Sequence, residues 1–69
     1  MMRLTKEREA RRWSRAELAR RAKINAATIG QIEGRRLRPY DVQLDKIAAA
    51  LDFEGEPSAL IEEADGERR

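Results

Sequence analysis

The chain has 69 residues, 41% charged and 41% hydrophobic, with a net charge of +2, three aromatic residues, and neither cysteine nor histidine. That is the size of one small domain. It excludes a disulfide framework or thiolate metal site, removes the commonest zinc ligand and general base, and leaves little room for a substrate cleft, so neither an enzyme nor a cofactor is expected. No apolar run approaches the roughly 20 residues that span a bilayer. Met1-Met2-Arg3-Leu4-Thr5-Lys6 leads straight into charge, so no secretory leader is expected. These features predict a soluble protein of a reducing compartment.

In chain order the residues predict helices and turns. A first helix over 3–12 is mostly polar, with Leu4 and Ala10 as its main apolar positions. Ser14 is a good N-cap, and Glu17 three residues on completes a capping-box pattern. Trp13 before the cap is placed to pack on Leu18 as a hydrophobic staple. Leu18, Ala19 and Ala22 form the inward stripe of this second helix, which ends near Arg21–Lys23. Arg20 and Arg21, adjacent on it, are expected to point in different directions.

Asn25 caps a third helix in which Ile29 and Ile32 share a side. Gly30 weakens this helix by about 1 kcal/mol relative to alanine or marks a close approach, and Gly34 is expected to end it. A basic loop, Arg35-Arg36-Leu37-Arg38-Pro39, follows. Asp41 is expected to cap a fourth helix with the strongest helical pattern in the chain, Leu44, Ile47, Ala48 and Leu51. Residues 52–56 read as a turn. Pro57 suits the start of a short fifth helix over about 57–64. Its Leu60, Ile61 and Ala64 would complete the core or form a dimer contact, with dimerisation through the fourth and fifth helices favoured. The tail 65–69 is expected to fray.

Charge is unevenly distributed. Residues 1–40 hold 12 Lys/Arg against 4 acids, a net of +8, and residues 41–69 hold 3 against 9, a net of −6. A basic half beside an acidic half suits a polyanion-binding surface. Within the basic half, two short capped helices joined near Lys23-Ile24-Asn25 have the outline of a helix-turn-helix. In that motif the second helix enters the DNA major groove and the first crosses the backbone.

The sequence resembles the lambda-repressor-like helix-turn-helix domains, the Cro/C1 or XRE type. The residues that carry the resemblance are Trp13-Ser14-Arg15-Ala16-Glu17-Leu18-Ala19, Ile24, Thr28-Ile29-Gly30-Gln31-Ile32-Glu33-Gly34, Pro39, Leu44 and Ile47-Ala48-Ala49-Ala50-Leu51. They cover roughly residues 3–53 of a single domain. The resemblance implies an all-α, compact four- to five-helix bundle. It implies double-stranded DNA as partner, usually bound by a homodimer on an inverted repeat. It also implies an ion pair, Arg8 with Glu33, as architecture.

The recognition face it implies is Asn25, Ala26, Ala27, Thr28 and Gln31. Gln31 can pair bidentately with adenine, Thr28 can offer a hydroxyl or a methyl, and the alanines can meet thymine methyls. That face is plainer than in many relatives, which favours readout through DNA shape. Ser14, Arg15, Arg35, Arg36 and Arg38 fall where the family meets phosphates. The family often has glycine two residues after the Glu33 position, whereas this chain has Gly34 one residue after it. The expected protein is a cytoplasmic, nucleoid-associated transcriptional repressor acting by operator occlusion. The alternatives are an antitoxin or excision-type accessory factor with a partner protein, or a protein-interaction module on the same fold.

Overall fold

The computed structural model describes residues 1–64; the expected fray at 65–69 lies outside the described residues. Four α-helices occur in order: α1 (Arg3–Ala10), α2 (Arg15–Ala22), α3 (Ala26–Glu33) and α4 (Asp41–Leu51), followed by a 3-10 helix (Pro57–Ile61). The fold is an all-α bundle around an aliphatic core. Leu4, Leu18, Ile29, Ile32, Ile47, Leu51 and Leu60 are fully buried, each worth about 1.5–3 kcal/mol of transfer free energy. Ala19, Ala22 and Ala48 fill the smaller gaps, and Trp13, Ile24, Leu37 and Phe53 close the rim. No helix among the described residues is long and apolar enough to cross a membrane.

The helix starts follow short polar side chains, with two corrections. Ser14 Oγ accepts from the Glu17 N–H at 3.0 Å, but the Glu17 carboxylate turns to Arg20 and Arg21 instead of closing the box. Asn25 Oδ1 accepts from the Ala27 N–H at 2.7 Å. Helix α4 begins one residue earlier than expected. Tyr40 is its N-cap, and its N–H donates to Gln43 Oε1 at 2.9 Å, which leaves Asp41 in the first turn, where its charge suits the helix dipole.

The helix ends break the glycine rule. Arg12, Lys23, Arg35 and Asp52 follow the four helices in order and all have positive φ, between 53° and 62°. Each sits in the same pair of backbone hydrogen bonds. Trp13, Ile24, Arg36 and Phe53 donate five residues back, and the left-handed residues donate three residues back. This is the Schellman closure, made four times without glycine. Gly34, expected to close α3, has φ −80°; the left-handed residue is Arg35, at the position where the family often has glycine. Three of the four residues are cations, which favours the negative end of a helix. Asp52 is the exception, and there Arg11 donates to the Leu51 carbonyl at 2.6 Å.

The C-terminal segment also departs from expectation. The fifth helix stops at Ile61, and residues 62–64 run extended beside the first residues of the chain. Arg3 N–H donates to the Glu62 carbonyl and Ala64 N–H to the Met1 carbonyl, both at 2.8 Å, around an antiparallel bridge between Met2 and Glu63. Leu60 and Ala64 are fully buried within one copy, so they complete the monomer and are not free for a dimer contact. Ala10, expected to help anchor α1, is exposed, and Met2 is buried in its place.

Replacing Asp52 by glycine removes both the left-handed strain and an acid at a helix C-terminus. Asp52→Gly is expected to stabilise the fold by about 1 kcal/mol, read as a rise of about 4–8 °C in the thermal midpoint. A fall in the midpoint would show that the closure at Asp52 carries no strain.

Candidate nucleic-acid interface

The α2 and α3 helices are joined by three residues, Lys23-Ile24-Asn25, with Lys23 at φ 60°. The turn is held by Ile24 N–H donating to the Ala19 carbonyl at 2.9 Å. Ile29 and Ile32 are fully buried on the inner side of α3, which leaves Asn25, Ala26, Ala27 and Gln31 exposed and Thr28 half-buried. The Asn25 carbonyl oxygen is engaged as the cap, so its NH₂ group is what it can offer outward. Gly30 lies in the middle of α3. A Cβ built on it would find only Arg15 Nη1, at an ordinary 3.8 Å, so nothing within the fold requires glycine there.

Glu33 organises the interface. Its side chain is 1% exposed. Arg8 Nε and Nη2 donate to its two oxygens at 2.8 and 3.0 Å, and Arg8 Nη1 donates to the Trp13 carbonyl at 2.8 Å. Arg15 Nε adds a third bond to the same carboxylate at 3.0 Å. Glu33 thus joins α1, the start of α2 and the end of α3. Arg15 is 55% exposed, and the side of its guanidinium away from Glu33 faces outward over Gly30.

The loop cations divide into two kinds. Arg35 is engaged by Glu63 at 2.9 Å, a partner the sequence reading did not foresee. Arg36 and Arg38 are exposed and have no ion pair among the described residues. The Arg36 guanidinium folds over Gly34, where a Cβ would lie 3.5 Å from its Nε and 3.2 Å from the Gly30 carbonyl oxygen. A Cβ at Gly34 would thus be tight only against the Gly30 carbonyl, and its φ of −80° asks for no left-handed freedom.

Several other cations of the basic half are committed to structure. Arg11 bridges Glu7 and the end of α4. Arg20 and Arg21 converge on Glu17, against the expectation that they diverge. Their Cα positions do diverge, but both side chains are long enough to reach one carboxylate a turn back. Those two hydrogen bonds hold the Glu17 carboxyl below its usual range. Arg21 also stacks on Trp13, 4.2 Å from the ring centroid, with Arg11 at 5.9 Å. Trp13 is a half-buried platform for guanidinium groups as well as a rim residue of the core. The convergence on Glu17 was readable from its i,i+3 and i,i+4 spacing; the Glu63 and Leu51 contacts, 28 and 40 residues away, had no local signal.

Residues 2–61 match the family described as Helix-turn-helix domain. The chain belongs to that family, in agreement with its Cro/C1-type resemblance, and is a DNA-binding domain by class. Neither the curated proteins nor the solved structures yield a match.

The burial of Glu33 sets an energetic test. Glu33→Gln keeps the shape but leaves Arg8 only the exposed Glu9 carboxylate, 3.7 Å away, and is expected to cost about 3 kcal/mol in denaturant unfolding. Arg15→Gln, at a half-exposed position, is expected to cost under about 1 kcal/mol. Equal costs would mean that the carboxylate does not organise the three helices.

Proposed function

We propose that this chain is a sequence-specific regulator that binds double-stranded DNA, a small Cro/C1-like repressor that occupies its operator and excludes polymerase. The observation that carries the reading is the outer face of α3. Ala27 and Gln31 are exposed across the helix from fully buried isoleucines, and Ala26 is exposed at its N-terminal end, with outward-facing cations at its flank. An α-helix fits the major groove, about 12 Å wide.

In this reading α3 enters the groove. Gln31 pairs with a base edge, Thr28 and the Asn25 amide offer hydrogen bonds, and Ala26 and Ala27 lie against thymine methyls. Ser14 and Arg15 meet one strand's phosphates, and Arg35, Arg36 and Arg38 meet phosphates beyond the end of α3. Arg35 reaches DNA by exchanging Glu63 for a phosphate, whereas Arg36 and Arg38 need no exchange. Gly30, not required by the fold, lets a phosphate approach Arg15 and the α3 backbone together. A homodimer then reads an inverted repeat with half-sites about 34 Å apart.

A second reading rests on the same face. Ala26 and Ala27 have no hydrogen-bonding side-chain groups, which suits a protein-binding module or an antitoxin as well as a weakly base-reading helix.

Selection from a randomised duplex library at near-physiological salt separates the two. An inverted repeat with half-sites about 10 base pairs apart is expected; folded protein that enriches no sequence would overturn the repressor reading. On the selected site, Gln31→Ala is expected to relax preference at one position by about 1–3 kcal/mol. Arg36→Ala is expected to weaken all duplexes alike and to lower the slope of log K against log salt by about 1.

A further inference from the structure

The loop after α3 borders a small apolar pit. Its floor is Ile32 and Met2, both buried, and its walls are the half-buried Leu37 and Ile61, with Pro39 buried at one side. Arg35 and Arg38, the exposed residues of the lining, form its lip, and no acid lines it. The loop wall is anchored at both ends. Leu37 N–H donates to the Gln31 carbonyl at 3.3 Å, and Tyr40 N–H donates to Gln43 Oε1 at 2.9 Å. The pit therefore exists before anything enters it.

The other concavities are built differently. The neighbouring cleft that also holds Arg15 and Arg35 contains the carboxylates of Glu33 and Glu63. The groove between α2 and α4 is basic, but its floor is only alanine. The groove beside the 3-10 helix is rimmed by Asp41, Asp45 and Glu56. None of these three combines large apolar side chains with a cation that no acid opposes.

Size and charge define what fits the pit. Its volume is about 140 Å³. A cavity of about 150 Å³ holds one benzene ring, and drug-sized ligands need about 300 Å³ or more. One ring or a short alkyl chain therefore fills it. The two lip cations are not equivalent. Arg35 is held by Glu63 at 2.9 Å, whereas Arg38 has no ion pair among the described residues. A guanidinium at the edge of an apolar surface suits a planar carboxylate, which it can grip with two parallel hydrogen bonds.

We infer that the pit binds a small organic anion, a carboxylate on one ring or a short alkyl chain, and that the bound ligand competes with DNA for Arg38. The apolar body covers Leu37 and Ile61 above the Ile32 floor, and the carboxylate meets Arg38 at the lip. A ligand of this size binds weakly, with a Kd between about 0.1 and 2 mM. The competition rests on the proposed function, in which Arg38 meets a phosphate; the binding does not. One guanidinium cannot serve a ligand carboxylate and a DNA phosphate together, so each weakens the other by the same factor.

The test uses benzoate and the full 69-residue chain. Amide correlation spectra are recorded without DNA up to about 10 mM benzoate at fixed ionic strength. Saturable shifts are expected at Met2, Ile32, Leu37, Arg38 and Ile61. Acetate, which lacks the ring, is expected not to saturate. Benzyl alcohol, which lacks the charge, is expected to bind at least about threefold more weakly. Arg38→Gln is expected to weaken benzoate at least about threefold, and Ile61→Phe, which fills the pit from its wall, to abolish saturation. Circular dichroism serves as the folding control for both variants. Absence of saturation in the wild type, or equal binding of benzoate and benzyl alcohol, would overturn the site without any variant. On a selected duplex, saturating benzoate is expected to weaken wild-type binding about three- to tenfold relative to equimolar acetate. It is expected to leave Ile61→Phe unaffected. Wild-type DNA affinity unchanged by bound benzoate would overturn the competition. A chain that binds benzoate but enriches no duplex would count against the proposed function and not against the pit.

Discussion

The fold depends on one buried carboxylate. Helix α1 is mostly polar, and its only fully buried apolar side chain is Leu4, which is too little to fix a helix against a bundle. Glu33 makes up the difference by receiving two bonds from Arg8 and one from Arg15. A buried ion pair need not be more stable than a well-packed apolar pair of the same volume. What it supplies is direction. The bidentate guanidinium sets the rotation of α1 about its axis, and the third bond sets the azimuth of Arg15 at the start of α2. The groups that would meet DNA are thus referred to the same oxygen atoms that hold the helices together.

The inner half of the fold was legible in the residues. The stripes of α2, α3 and α4 follow from spacing at three and four residues, and Ser14 and Asn25 announce their helices by their own side chains. The ends of α2, α3 and α4 fall where the residues place them, but the manner of their closure was not legible. Left-handed closure is normally signalled by glycine, because other residues lose about 1–2 kcal/mol there. Arg12, Lys23, Arg35 and Asp52 give no such signal. Their conformation is imposed by what the next residue must do: Trp13, Ile24 and Phe53 turn back onto the rim of the core, and that packing offsets the local strain. The same holds for the 62–64 segment. Its pairing with residues 1–3 is a contact between the two ends of the described chain, and no local pattern encodes it.

For the candidate site, the exposed face of α3 was readable as the complement of Ile29 and Ile32. The ranking of the cations was not. Sequence shows 12 of them in the first 40 residues and makes them equivalent. Structure divides them by partner. Arg8 and Arg11 are bound into the bundle, Arg20 and Arg21 into Glu17, and Arg35 to Glu63. Among the described residues, Arg36 and Arg38 remain as cations without an acidic partner in the loop after α3, as do Arg12 and Lys23 at the ends of α1 and α2. An ion pair already made at the surface is worth little, so Arg35 can exchange its partner cheaply, yet it gains less from a phosphate than a cation with none to lose. The effective positive face is accordingly smaller than the net +8 of the basic half suggests.

The acidic half gains a structural meaning from the same division. It is not a uniform counterweight to the basic half. Glu62 and Glu63 lie along the extended segment against residues 1–3, with Glu63 holding Arg35. Asp41, Asp45 and Glu56 gather at one end of α4 instead, where no cation among the described residues pairs with Asp45. Lys46 stands at the other end beside Arg21 and Lys23, where like charges repel.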